Sequence, residues 1–374
     1  MNPYEINDIR KNFNGISFSK FKKTAVRDQL ISAMASGKIE PACYWCAELV
    51  CAGHYMDLWE TIMYYMAKHI HLANPKIAIY LEMRMQIFRN IVAQGNFVSE
   101  LHLRNSPNVR SLFAEVICIL TFSNRKHSFE AIKIDRVEEF DITQMTDRFK
   151  APSVAYAEPV FRKDDPKELY IAVNELAYSV DARNMLNACY WIEWIIEFDT
   201  ICRKRKEPVR CEIRTEAAAV EAKFKHDVIW LVWDVLVNAA MARPANSEIL
   251  CKIIQANLSL FSVKYTTASV KRRKYLLYFS VSILTEAVDT TVDIVNPAKK
   301  ERMQTIIGRV NEIYRQVKRN EESGGTNYLL DSLGTSMEQM MQQMNLMNSI
   351  DAQMQEQNKS IVYDPGFIDY DTNP

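Results

Sequence analysis

Cys43, Cys46, Cys51 and His54 spell C-x2-C-x4-C-x2-H, a ligand set that suits zinc. The spacing argues against a single metal centre. The segment carries apolar residues at helical period, and along one helix Cys43 and Cys51 stand about 12 Å apart at 1.5 Å rise per residue. One zinc ion holds all its ligands within about 2.3 Å. Gly53 can turn His54 back, but it does not close that span. The expectation is a cysteine-bearing helix face turned to a core, where a free thiol behaves as a small hydrophobe, with no metal and no cofactor.

His69 and His71 flank Ile70 just before Asn74-Pro75. They could bind a metal or act as general bases. An imidazole at a helix C-terminus, favoured by the helix dipole, is the plainer reading. Glu193 and Glu197 stand four apart, interleaved with Trp191 and Trp194. Paired carboxylates can share acid and base work, but at this spacing they more often form a solvated edge or meet Lys and Arg. The run Arg203-Lys204-Arg205-Lys206 follows and suits those carboxylates or an acidic partner. Lys20, Lys22 and Lys23, Lys271 to Lys274, and Lys299, Lys300 and Arg302 form further basic groups. Each could hold phosphates; most short basic runs are solvated or meet acidic protein surface. The chain has no Walker A loop, no G-x-G-x-x-G, no G-x-S-x-G and no H-E-x-x-H. The expectation is a protein that is not an enzyme.

The elements beneath these residues are helical and repeat. Ala-Cys-Tyr-Trp occurs at Ala42–Trp45 and again at Ala188–Trp191. A first segment, Phe18–Met34, precedes the first copy. Helices are then predicted over Glu40–Ala52 and Met56–His69, through Ile79, Met83, Ile87 and Ile91, and over Val109–Phe122. Asp181–Phe198 carries the second copy, followed by Asp227–Met241, Glu248–Phe261 and Val270–Ala287. Trp233-Asp234 stands where Trp59-Glu60 stands, and Ile283-Leu284-Thr285 answers Ile119-Leu120-Thr121. Two related units stacked on each other bury their apolar faces. Asp141–Lys167, with three prolines and little periodicity, reads as a linker or long ordered loop. Phe129–Ile134 suits either a short strand or an extended arm.

Composition agrees with a full core: 48% of the 374 residues are apolar and 25% charged. Only 9 are glycine, too few for the tight hairpins of an all-β fold. Lys+Arg and Asp+Glu balance at 46 each, which argues against a general nucleic-acid coat. Apolar runs are broken by charges short of the roughly 20 residues a membrane span needs. The polar start, Met1–Glu5, has no secretory character, so the 8 cysteines are expected as reduced thiols. Past Lys318, Gly324-Gly325 forms a flexible break. Met337, Met340, Met344, Met347 and Met354 then recur at helical spacing and make an adaptable apolar stripe. The stripe would bury itself against a partner, a second copy or its own body.

The segments Ala42-Cys-Tyr-Trp-Cys-Ala-Glu-Leu-Val50, Lys68-His-Ile-His-Leu-Ala-Asn-Pro75 and Ala188-Cys-Tyr-Trp-Ile-Glu-Trp-Ile-Ile196 carry a resemblance. They resemble an uncharacterised all-helical family of large double-stranded DNA viruses of algae and protists, over roughly residues 20–300. The resemblance implies viral origin, translation in host cytoplasm, and a role in virion assembly or genome processing; it implies no reaction.

The resulting expectation is an all-α chain of two related multi-helix units in tandem, with a flexible C-terminal tail. The units are 1–140 and 168–320, joined by 141–167 and followed by a Met/Gln-rich helix and extended tail over 321–374. The expected function is that of a viral structural protein, a minor capsid or assembly component found in the virion and, during assembly, in host cytoplasm. It would contact other capsid proteins, or itself, through Met337, Met340, Met344, Met347 and Met354 and through Arg203, Lys204, Arg205 and Lys206. The alternative is a replication or transcription accessory factor that binds nucleic acid or a polymerase through its basic groups.

Overall fold

Buried residues at Val26, Leu30, Ala33 and Met34, spaced at three and four, make a helix of Lys23–Ala35 (α1) that packs along Ile39–Cys51 (α2). In this computed structural model residues 3–95, 99–135, 140, 146–243 and 248–322 are described. Among them the chain is all-α, and an isolated Ile16–Lys22 bridge is the one β feature. The helices continue as α3 (Tyr55–Tyr65), α4 (Ile77–Gln94) and α5 (Pro107–Phe122). Then come α6 (Tyr170–Asp181), α7 (Met185–Lys204), α8 (Ile229–Met241), α9 (Glu248–Ser262), α10 (Val270–Thr285), α11 (Lys300–Gly308) and α12 (Val310–Lys318). None is long and apolar enough to cross a membrane.

The duplicated tetrapeptide marks a duplicated helix–turn–helix. Gly37 adopts φ +69° after α1, and its N–H donates to Met34 O while that of Lys38 donates to Ala33 O. Arg183 adopts φ +56° after α6, with its N–H on Val180 O and that of Asn184 on Ser179 O. Each left-handed residue stands five places before the alanine of its Ala-Cys-Tyr-Trp. This reversal exposes no helix-end carbonyl to the core. In α2 the rings of Tyr44 and Trp45 meet edge-on at 5.5 Å, and in α7 those of Tyr190 and Trp191 do so at 5.1 Å. The packing partners repeat as well. α2 lies against α1 and α5, and α4 against α5; α7 lies against α6 and α10, and α9 against α10.

Both halves contribute to one body, Met1–Glu321. α4 packs on α9, α3 on α10, and α12 returns to cover α2. The core of this body holds Trp45, Trp59, Trp191, Trp230 and Trp233, all fully buried. The described part of the 141–167 segment is tied down: the N–H groups of Lys150 and Ala151 donate to the buried Glu175 carboxylate of α6.

Two local features differ from simple periodicity. The helix expected to reach His69 widens into a π-turn at Met66–Ile70 and ends in a short 3-10 turn, His71–Ala73. The carbonyls of Lys68 and His69 accept instead from the N–H groups of Phe129 and Lys126. The segment after α5 therefore runs as an extended arm along the π-turn, and no strand forms there. In α4, the side chains facing the core are Ile77, Tyr80, Leu81, Met85 and Phe88. In the stripe Ile79, Met83, Ile87 and Ile91, Met83 and Ile87 are exposed, at 57% and 38%, and Ile79 and Ile91 are half-buried.

Candidate functional site

The thiols of the first repeat are packed, not poised. Cys43, Cys46, Cys51 and Cys118 are buried and free of disulfides. A hydrogen bond with Cys118, then burial, push the Cys43 thiol well above its ordinary value. Burial is the main cause for Cys46, Cys51 and Cys189. A nucleophilic or metal-binding cysteine needs the thiolate, which these surroundings disfavour. His54 turns toward the Ile16 carbonyl, with Nε2 at 2.6 Å. Among the described residues no group of three His, Cys, Asp or Glu side chains has metal-holding geometry.

His69 sits in the π-turn and His71 opens the 3-10 turn after it, both against the arm. His69 Nδ1 lies 2.6 Å from the Ser128 hydroxyl, and His71 Nε2 2.9 Å from the His127 carbonyl. The His71 ring stacks on Phe129 at 4.0 Å. Burial, then the positive charges of Lys68 and Arg125, lower His69 to about 4. Burial likewise lowers His71 to about 4, with Lys126 adding to it. Both rings are thus neutral at pH 7. Because the folded values lie below the ordinary 6.5, their contribution to stability is present above that value. It is lost as pH falls toward 4, where protonation favours the unfolded chain. Urea midpoints measured from pH 7 to pH 4.5 are expected to fall, and His71→Leu is expected to flatten that slope. An unchanged slope in the variant would show that the ring does not carry the effect.

The carboxylates and basic runs find each other. Lys274 Nζ meets Glu193 Oε1 at 2.7 Å, where the Tyr278 hydroxyl also donates at 2.6 Å. Lys271 meets Glu197 at 3.2 Å. Arg273, almost fully buried, donates to Glu60 from Nε at 3.0 Å and Nη2 at 2.5 Å. Arg203 donates to Asp199 at 2.8 Å and to Asp227 at 2.9 Å. Lys204, Arg205 and Lys206 are exposed at the C-terminal end of α7, where cations suit the helix dipole. Met337, Met340, Met344, Met347 and Met354 lie outside the described residues.

Arg203 also lines a cleft of about 330 Å³ between α7, the start of α8 and the turn before α10. Ile195, Ile196 and Val270 supply apolar walls, and Asp199, Asp227 and Lys271 polar ones. Besides Arg203, Asp227 accepts from the Tyr265 hydroxyl at 2.9 Å and the Thr267 hydroxyl at 2.7 Å. Burial raises the Asp199 carboxyl, opposed by Arg203. The hydroxyl of Thr200 is given to the Ile196 carbonyl. The arrangement can hold α7, α8 and α10 together, and its hydroxyls are already committed to other acceptors.

No family model, no curated protein and no solved structure matches this chain.

Two buried acids escape a motif-based reading. Glu48, fully buried in α2, accepts from the Ser17 hydroxyl at 2.8 Å, the Ser19 N–H at 2.9 Å, the Ser19 hydroxyl at 2.5 Å and the Tyr44 hydroxyl at 3.1 Å. Burial raises its carboxyl, and these four bonds oppose the rise. It staples the N-terminal arm to the first repeat. Its one sequence signal is a lone charge inside the apolar run Cys43–Cys51. Asp165 is gripped by the buried Arg214, which also reaches Asp234 at 2.9 Å. Asp234 and Glu60, paired in the sequence by their tryptophans, thus each bind a buried arginine.

Proposed function

We propose that this chain is a structural component of a viral particle, a minor capsid or assembly protein that works through protein–protein contacts. The resemblance of the two Ala-Cys-Tyr-Trp segments and of the Lys68–Pro75 segment to a family of large DNA viruses supports the viral part. The observation that carries the contact part is the partly exposed apolar stripe of α4, Ile79, Met83, Ile87 and Ile91. Its length, four residues at one-turn spacing, suits an apolar helix or groove on a neighbouring particle protein. The internal pairing of Arg203, Arg273, Lys271 and Lys274 with carboxylates supports a body built for rigidity. The same pairing lends less support to an accessory factor that binds nucleic acid through those two runs.

Quantitative mass spectrometry of purified particles tests the reading; a chain missing from them would end it. A substitution pair sharpens the test. Met83 and Ile87 are the exposed members of the stripe, so for Met83→Asp with Ile87→Asp the melting temperature is expected to stay within a few degrees. Incorporation into particles is expected to drop about tenfold or more, since an aspartate pair in an apolar contact leaves charges desolvated without partners. Normal incorporation of this variant would remove α4 as the contact.

A further inference from the structure

Arg125 and Lys126 follow α5, and Lys299 stands 173 residues later at the turn into α11, yet all three line one cleft. The cleft has a volume of about 420 Å³. Asn124 adds an amide donor, Ser123 and Ser128 also line the cleft with hydroxyls engaged by Ile119 O and His69 Nδ1, and the turn at Gly37 forms another wall. No carboxylate lines it. By contrast, Arg203 of α7 and Lys271, Arg273 and Lys274 of α10 meet carboxylates at ion-pair distance. Among the described residues none of Arg125, Lys126 and Lys299 does so.

Backbone and side-chain bonds fix two of the three positions, while Arg125 and Lys126 present exposed side chains. Lys126 is fixed through its backbone, whose N–H donates to His69 O at 3.1 Å. Lys299 Nζ donates to Phe122 O at 3.3 Å and lies 5.3 Å from the centre of the Phe122 ring. Ser123 Oγ donates to Ile119 O at 2.7 Å, which fixes the turn out of α5. The charge of the group is felt nearby. After burial, Arg125 is among the groups that lower His69, and Lys126 among those that lower His71. Three cations on one cleft with no carboxylate in its lining make a positive potential, which a multivalent anion would relieve.

We propose that this cleft binds phosphoryl oligoanions. The guanidinium of Arg125 and the ammonium groups of Lys126 and Lys299 would meet phosphate oxygens, and the Asn124 amide would supply a neutral donor. Its size admits two or three linked phosphoryl groups. These groups could belong to a free nucleotide or to a nucleic-acid backbone, which share that chemistry. The inference stands apart from the α4 contact and does not depend on it.

The test uses the full chain at low ionic strength. Tripolyphosphate and adenosine triphosphate are titrated by calorimetry, and a single-stranded oligodeoxynucleotide of about 20 residues by fluorescence anisotropy. At least one is expected to bind. Lys126→Glu with Lys299→Glu is expected to weaken that binding about tenfold or more, whereas Lys204→Glu with Arg205→Glu is expected to change it less than about twofold. Binding of the oligonucleotide alone assigns the backbone as source, and binding of the small anions assigns a free oligophosphate. Circular dichroism melts check that the variants fold, and Lys126→Gln with Lys299→Gln replaces the reversal if it does not. Three results would overturn the proposal: no anion binds, the cleft variant binds as the parent does, or both charge reversals weaken binding equally.

Discussion

Exchange of Arg214 for leucine is expected to lower the unfolding free energy at pH 7 by about 3–5 kcal/mol, the usual cost of breaking a buried ion pair from one side. The side chain of Arg214 has no exposed surface, and neither has that of Asp165. Its guanidinium spans both oxygens of Asp165, Asp234 Oδ2 at 2.9 Å, and the carbonyls of Glu212 at 2.6 Å and Val160 at 3.2 Å. Leucine would abandon all five acceptors in a dry site. The pH dependence gives a second readout. Burial would raise Asp165, but the Arg214 bond and the N–H groups of Arg162 and Glu212 outweigh it and hold the carboxyl below its ordinary value. In the parent, then, this group's contribution is full above the ordinary carboxylate range and fades as pH falls through the lowered value. Without Arg214, burial leads, and the orphaned acid is stabilised by protonation. The deficit of Arg214→Leu is therefore expected to shrink as pH drops from 7 toward 4. Asp165→Asn in the same variant should recover part of the loss at pH 7. Urea denaturation at the two pH values measures both effects. A loss under about 1 kcal/mol, or one independent of pH, would mean that the pair carries little of the fold.

Alanine at Trp45 or at Trp191 is expected to cost about 3–5 kcal/mol in either copy. Both indoles are buried to within 2% and pack edge-on against the preceding tyrosine. Phenylalanine should restore more than half of the loss. Neither indole N–H has a hydrogen-bond partner, so the smaller ring forfeits only volume. The preceding cysteines give the contrast. Cys43→Ala and Cys189→Ala remove one atom from a packed site and are expected to cost about 1 kcal/mol each. Denaturation midpoints of the six variants decide the matter. A large loss at Cys43 with little at Cys189 would point to a special role for the first thiol. Tryptophan losses that differ by several kcal/mol between the copies would break their structural equivalence.

Much of the helical layout is legible in the chain because its signals are local. All the helices from α1 to α10 except α6 follow from apolar spacing, and the ends of α1 and α2 lie within a residue or two of Gly37 and Gly53; the helix Tyr170–Asp181 is not among those expected. The duplicated tetrapeptide predicts paired helices, and the matching turns at Gly37 and Arg183 show how deep the duplication runs. Local signals also mislead. The stripe Ile79, Met83, Ile87 and Ile91 has helical period, but periodicity does not say which face meets a neighbour. α4 turns Leu81, Met85 and Phe88 inward instead. The π-turn at Met66–Ile70 was hidden for a similar reason: it depends on the arm at 126–129, which supplies the N–H groups its carbonyls need.

The sequence by itself determined the secondary structure class, the repeat and the burial of the tryptophan-bearing helices, since a helix repeats within 5.4 Å along the chain and reports its own period. Only the tertiary structure decided where the charges go. Arg273 meets Glu60 across 213 positions, Lys274 meets Glu193, and Lys299 comes to stand beside Arg125 and Lys126. Coulomb energy depends on separation in space and on what water is excluded, and neither quantity is written in the spacing of residues along a chain.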